Sequence, residues 1–207
     1  MSLIQKSITK SGLNNEFNEA LNEQQTSRLE SFLALRDAWA KTHNLSGPRA
    51  LQLHSTDIVD ALAVYLSINS KYPLIDIGSG SGVPGLMLAC LMPELEIHLV
   101  EPIAKRCAFM KTALYKLGLK KVKVHRGRWP DTASAITVSS QAMMISRAVV
   151  SPEAWPLLAH QTQPAGIMQM LAQHRPQWPL EEYTLEKELK YFDPEGGERL
   201  IRRWVLK

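Results

Sequence analysis

The segment Leu74-Ile75-Asp76-Ile77-Gly78-Ser79-Gly80-Ser81-Gly82-Val83-Pro84-Gly85 constrains this chain more than any other. A short apolar run ending in clustered glycines suits a buried parallel strand that turns directly into a helix. Without a Cβ, Gly78, Gly80 and Gly82 allow a sharp turn and a close approach of main chain to a ligand. The helix that follows, read over 85–92, is expected to aim free N–H groups at the same spot. The next apolar run, Ile97-His98-Leu99-Val100, ends in Glu101. An acid there accepts hydrogen bonds from both hydroxyls of a ribose. Strand, glycine turn, helix and acid together predict a bound nucleoside cofactor over a purely structural turn. Asp76 is read as orienting loop amides or meeting the cofactor's amino-acid end, not as catalytic. Spacing alone leaves a dinucleotide and S-adenosyl-L-methionine open. The acid two residues before the first glycine, and a chain with little room for a separate substrate domain, favour the methyl donor.

The rest of the chain repeats the rhythm. Strands are predicted over 122–124, 143–146 and 166–171. Helices are predicted over 103–117, stopped by Gly118, and over 151–160 despite Pro156. Strands alternating with helices give an α/β chain with a doubly wound, mostly parallel sheet. The segments 181–192 and 198–206 flank Pro194-Glu195-Gly196-Gly197 and are expected to add an antiparallel hairpin, making seven strands. Upstream, Phe17, Leu21, Leu29, Phe32, Leu33 and Trp39 recur at helical spacing. They predict a helix from about Glu16 to His43, with Asn14 and Asn15 as candidate caps. Residues 44–48 read as a turn and 56–68 as a second helix. The expected organisation is an N-terminal helical extension, 1–70, and an α/β domain, 71–207, forming one unit.

Bulk properties narrow the partners. Lysine and arginine total 24 against 20 acids, a net charge of +4, which permits a polyanionic partner without demanding one. Lys105, Arg106, Lys111, Lys116, Lys120, Lys121, Lys123, Arg126 and Arg128 make a basic region. It reads either as phosphate-contacting or as a solvated face. Cys90 and Cys107 lack CxxC spacing and are read as small core residues in a reducing compartment. The six histidines lack ligand spacing, so no metal is expected. No apolar run is long enough for a signal peptide or a membrane span, and the cytoplasm is the expected location. Met87, Met92, Met110, Met143, Met144, Met168 and Met170 are read as packing.

The motifs resemble those of a known family. Trp39 through Asn44-Leu45-Ser46, the run DIGSGSGVPG with Pro84 and Gly85, and Lys105-Arg106 just after the acid are shared pieces. So are Gly127-Arg128, Ile145-Ser146-Arg147-Ala148 and Gly197-Glu198-Arg199. In these the chain is similar to the bacterial 16S rRNA guanine-N-7 methyltransferase G family, formerly called glucose-inhibited division protein B. The resemblance implies a class I S-adenosylmethionine-dependent methyltransferase fold, Rossmann-like, with an N-terminal helical extension. It also implies a cofactor set of Asp76, Gly78, Gly80, Gly82, Val83, Glu101, Arg128, Trp129, Pro130 and Arg147. Arg49, His54, Lys105, Arg106 and Arg147 are the residues expected to face RNA, with a structural role the favoured alternative for His54. The implied partner is 16S rRNA or the 30S subunit, met by a monomer, and the implied target is one guanine in the decoding-region loop. Guanine N-7 has a free lone pair and no proton, so no catalytic base is expected.

The chain departs from the family pattern in places. Leu53 stands where an arginine is frequent, Pro130 where an acid is frequent, and Ala172-Gln173 where Lys-Gly is common. These departures keep a second reading open, a non-catalytic methyltransferase-like rRNA-binding or assembly protein. A third is an NAD-dependent oxidoreductase.

Overall fold

The computed structural model describes residues 3–13, 21–42, 54–137, 142–147, 149–162, 164–172 and 175–207. Seven strands form one sheet: β1 (Leu74–Ile77), β2 (Ile97–Glu101), β3 (Val122–Arg126), β4 (Met143–Ser146), β5 (Gly166–Leu171), β6 (Tyr183–Phe192) and β7 (Glu198–Leu206). Their order is β3-β2-β1-β4-β5-β7-β6. The first five run parallel, and β7 pairs antiparallel with both β5 and β6. The strand order reverses between β1 and β4, and a ligand crevice opens at such a switch point.

Alternation along the strands divides the core. Leu74, Ile97, Leu99, Met143, Ile145 and Met168 face one side. That side is covered by α1 (Leu3–Lys10), α2 (Glu23–Thr42), α3 (His54–Ser67), α4 (Gly85–Leu91) and α5 (Ala104–Leu117). Ile75, Ile77, Val100, Met144 and Ile167 face the other, where α6 (Ala154–His160) contributes Trp155 and Ala159. Much of that second side is covered by irregular chain and by side chains such as Trp129, Trp178 and Leu180 rather than by helices. The indoles of Trp178 and Trp204 stack there at 4.2 Å. Both cysteines are free and buried.

The N-terminal helices differ from expectation in two ways. The α1 helix was not predicted; Ile4 and Ile8, four residues apart, are its buried stripe. The long helix begins at Glu23, later than 16. Asn22 is its cap: Asn22 Oδ1 accepts from the Gln25 N–H at 2.8 Å, and Gln25 Oε1 accepts from the Asn22 N–H at 3.0 Å. This reciprocal pair is a capping box. The candidate caps Asn14 and Asn15 and the turn over 44–48 lie outside the described residues.

A buried polar cluster joins these helices to the sheet. Asp60 on α3 accepts from the Tyr191 hydroxyl at 2.8 Å and from Arg199 Nη2 at 2.9 Å. Asp57, one turn earlier, accepts from Arg36 at 2.8 Å and from Arg147 at 2.6 Å. One pair of aspartates thus connects α2, the tip of β4, β6 and β7. Removing one partner of a buried pair strands the other charge, at about 3–5 kcal/mol. Asp60→Ala is therefore expected to lower the free energy of unfolding by about that amount, measured in urea at neutral pH. A change below about 1 kcal/mol contradicts this account.

Candidate functional site

The crevice at the switch point is a cavity of about 600 Å³, inside the range of small-molecule sites. Its floor is the turn between β1 and α4. The N–H groups of Gly78 and Ser79 donate to the Val100 carbonyl at 2.8 and 3.1 Å, which pins the turn to β2. Those of Gly82 and Val83 donate to the Ser79 carbonyl at 2.8 and 3.1 Å. Gly80 has φ +59°, in the left-handed region that costs an L-residue about 1–2 kcal/mol. A Cβ built on it meets nothing nearer than the Gly78 carbonyl oxygen at 3.8 Å. Bare main chain therefore borders open space on that side of the loop.

The wall opposite is the tip of β2. Glu101 is 2% exposed. Its Oε2 accepts from the Gly80 N–H and its Oε1 from the Ile103 N–H, both at 2.9 Å. Arg106 Nη1 stands 3.7 Å from Oε1. The carboxylate thus fixes the glycine turn relative to the start of α5 while lining the cavity.

Asp76 sits behind the turn, fully buried, and does not line the cavity. Its Oδ2 accepts from the Gly85 N–H at 3.0 Å, and the Ser79 hydroxyl donates to its carbonyl oxygen at 2.9 Å. Burial pushes its carboxyl up to about 6, against the opposing Gly85 and Ser79 hydrogen bonds. Orienting loop amides is therefore the part of its expected role that the geometry carries. The Gly85 bond also corrects the expectation of free amides at the start of α4. Gly85 donates to Asp76, and Leu86 and Met87 donate to the Gly82 carbonyl at 3.0 and 3.3 Å, so the helix start is satisfied internally.

Of the other expected cofactor residues, Gly78, Gly80, Val83, Glu101, Arg128, Trp129 and Arg147 line the cavity, whereas Gly82 and Pro130 do not. Trp129 is half-buried, and its indole Nε1 has no hydrogen-bond partner among the described residues. Arg147 ends its strand at the cavity mouth, held by Asp57 at 2.6 Å with Asp60 at 3.5 Å. Ion pairing and a place on the cavity wall thus coexist in one residue. Among the residues expected to face RNA, Arg106 lines the cavity and Lys105 is exposed beside it. His54 does neither. It lies 3.0 Å from Asp37, and burial followed by the Arg36 charge lowers its imidazole below the ordinary value, against Asp37 and Asp57. Its ring is turned to Asp37 inside the fold and not to solvent. Arg49, Leu53, Ala148 and Gln173 lie outside the described residues.

Sequence reasoning missed Ser79, Ser81, Val149, Val150 and Leu158 on the cavity wall. Val149 and Val150 are 44% and 38% exposed. An apolar pair directly after a strand tip was the available signal. No group of three or more His, Cys, Asp or Glu side chains that could hold a metal occurs among the described residues. No helix among them is long and apolar enough to cross a membrane.

This strand order, with an acid-bordered glycine turn at the switch point, defines a Rossmann-like fold of the methyltransferase class. A putative O-methyltransferase from Klebsiella pneumoniae superposes with a TM-score of 0.60 over 97% of this chain and 99% of its own, at 11% identity. A putative RNA methyltransferase from Pyrococcus horikoshii gives 0.51 over 87% and 98%, at 15% identity. The sequence pattern of the family described as rRNA small subunit methyltransferase G matches residues 25–193, and the chain belongs to that family. The ribosomal RNA small subunit methyltransferase G of Wolinella succinogenes is 34% identical over 146 residues, 68% of this chain and 74% of that protein. The Hydrogenovibrio crunogenus protein of the same name is 40% identical over 104 residues, 50% of this chain and 48% of its own length.

The Asp76 environment predicts a pH effect. An acid whose folded value is raised stabilises the fold most below its unfolded value near 3.9, and that contribution is lost as pH rises through 6. Relative to Asp76→Asn, the wild type is expected to lose of the order of 2 kcal/mol of unfolding free energy between pH 4 and 7. Parallel pH profiles for the two proteins contradict the assignment.

Proposed function

We propose that the chain binds S-adenosylmethionine in this cleft and transfers its methyl group to N-7 of a guanine in small-subunit rRNA, the decoding-region loop being the target. The observation that supports the reading most is Glu101. A buried carboxylate at the tip of β2, held by two main-chain N–H groups, stands beside a loop whose open side carries no side chain. Each carboxylate oxygen keeps a lone pair after those bonds, enough to accept from two ribose hydroxyls. Trp129 is the aromatic side chain on the cavity wall available to the adenine, and Arg128 borders the same wall. Gly78, Gly80 and Ser81 present main chain to the remainder.

When bound, the cofactor supplies a methyl group on a positively charged sulfur, an electrophile needing no further activation. The chain's task is alignment, which supplies about 7–11 kcal/mol when two groups are held in reactive geometry. No residue has to remove a proton from guanine N-7. Consistently, Glu101 is the only acid lining the cleft among the described residues, and it is engaged by the main chain. Arg106 and Arg147 line the cleft with Lys105 exposed nearby, cations that suit a phosphate-bearing substrate. The cytoplasm, where 30S subunits assemble, is the compartment this reading requires.

Two measurements test it. S-adenosylhomocysteine, but not NAD(H), is expected to raise the melting temperature, and the reverse favours an oxidoreductase. Labelled methyl donor is expected to modify 30S subunits lacking the modification. No incorporation despite cofactor binding favours the non-catalytic assembly protein.

Gly80→Val is expected to fold, with about 1–2 kcal/mol of strain from its positive φ, and to lose measurable affinity for S-adenosylhomocysteine by calorimetry. Glu101→Gln, which leaves one amide oxygen to serve two main-chain donors, is expected to weaken that affinity at least roughly tenfold. Normal affinity in either folded variant refutes the cleft assignment.

A further inference from the structure

A second cavity, of about 450 Å³, adjoins the cofactor cleft. Arg147 and Val150 line both spaces, which therefore meet at the tip of β4. The remaining wall includes Ser146, Trp155, Gln169 and Arg199. Trp155 directs its indole N–H to the Met168 carbonyl at 2.9 Å.

Two of these residues carry polar atoms without a hydrogen-bond partner among the described residues. Gln169 on β5 is 1% exposed. Its Nε2 donates to the Pro152 carbonyl at 3.2 Å, which fixes the orientation of the amide. Its Oε1 has no hydrogen-bond partner among the described residues, and neither has Ser146 Oγ. Native chains rarely bury unpaired oxygens, and two on the wall of one cavity call for a ligand that brings N–H donors. The same wall holds two cations, Arg147 and Arg199, anchored by Asp57 and Asp60. A ligand matching both has N–H groups on one edge and an acceptor near them. Guanine has N1–H and the N2 amino group beside O6, whereas adenine presents a bare acceptor at N1.

We propose that this second cavity seats the acceptor guanine and that Gln169 determines specificity for it, Oε1 accepting from the N2 amino group with Ser146 Oγ as a further contact. This rests on the methyl-transfer reading given above. Gln169 belongs to β5 and lies outside the cofactor cleft, so its contribution separates from cofactor binding.

The test uses the full chain with small subunits whose target carries either guanosine or inosine, which lacks only the N2 amino group. Gln169→Met is expected to lower kcat/KM on guanosine roughly 10–100-fold, with affinity for S-adenosylhomocysteine unchanged within about twofold. Wild type is expected to lose a similar factor on inosine, and Gln169→Met to show no further loss there. That pattern distinguishes recognition of the base from a structural role, which would penalise both substrates alike. Full activity of Gln169→Met on guanosine, or equal use of inosine by the wild type, overturns the proposal and leaves the methyl-transfer reading standing. If Gln169→Met does not fold, the wild-type guanosine-to-inosine ratio decides. Roughly ten or more sustains the proposal and a ratio near one overturns it. A wild type that binds S-adenosylhomocysteine yet methylates no small-subunit RNA overturns the methyl-transfer reading and this proposal with it.

Discussion

Glu101 holds the cleft together from within the sheet. Its carboxylate is almost fully buried, where an ionised group without partners is very costly. The partners are two main-chain N–H groups from different segments, Gly80 in the β1–α4 turn and Ile103 before α5. Its own carbonyl accepts from Gly127 N–H at 3.2 Å and from Cys107 Sγ at 3.1 Å. One residue thereby sets the positions of the glycine turn, the start of α5 and the segment after β3. Those segments supply most of the cleft at the switch point, so its shape follows from the demand of a single buried acid.

A second constraint acts from the opposite edge of the cleft. Asp57 is shared between Arg36 of α2 and Arg147 at the tip of β4. Asp60 ties the same helix to Tyr191 and Arg199 in the terminal hairpin. Buried ion pairs of this kind contribute little net stability relative to apolar packing, but they fix geometry. Here they hold the Arg147 guanidinium where the two cavities meet. The N-terminal helices therefore reach the candidate site through charge, in addition to sharing a core with α4 and α5.

The parallel strands and their glycine turn were legible because their signals are local. The tips of β1 and β2 are marked by glycine and acid, and Gly118, in the left-handed region, stops α5 as expected. The α1 helix was missed because only Leu3, Ile4 and Ile8 are apolar among its eight residues. The start of α2 was misplaced because Asn14-Asn15 and Asn22 are equally good caps on paper, and only Asn22 has Gln25 at the reciprocal position. The cleft was readable through Gly80 and Glu101, which the turn brings together directly. Its far wall was not, since Val149, Val150 and Leu158 follow β4 without a motif. Gln169 lies outside every shared motif, and Ser146, though part of Ile145-Ser146-Arg147-Ala148, gave no sign of an unpaired oxygen, which becomes visible only once the surrounding chain is folded.

The most direct test of the account is a crystal structure with S-adenosylhomocysteine. The predicted result places both ribose hydroxyls within hydrogen-bond distance of Glu101, the adenine against Trp129, and the sulfur toward Arg147 where the second cavity begins. A ligand bound elsewhere, or Glu101 turned away from the sugar with its main-chain bonds broken, would contradict it.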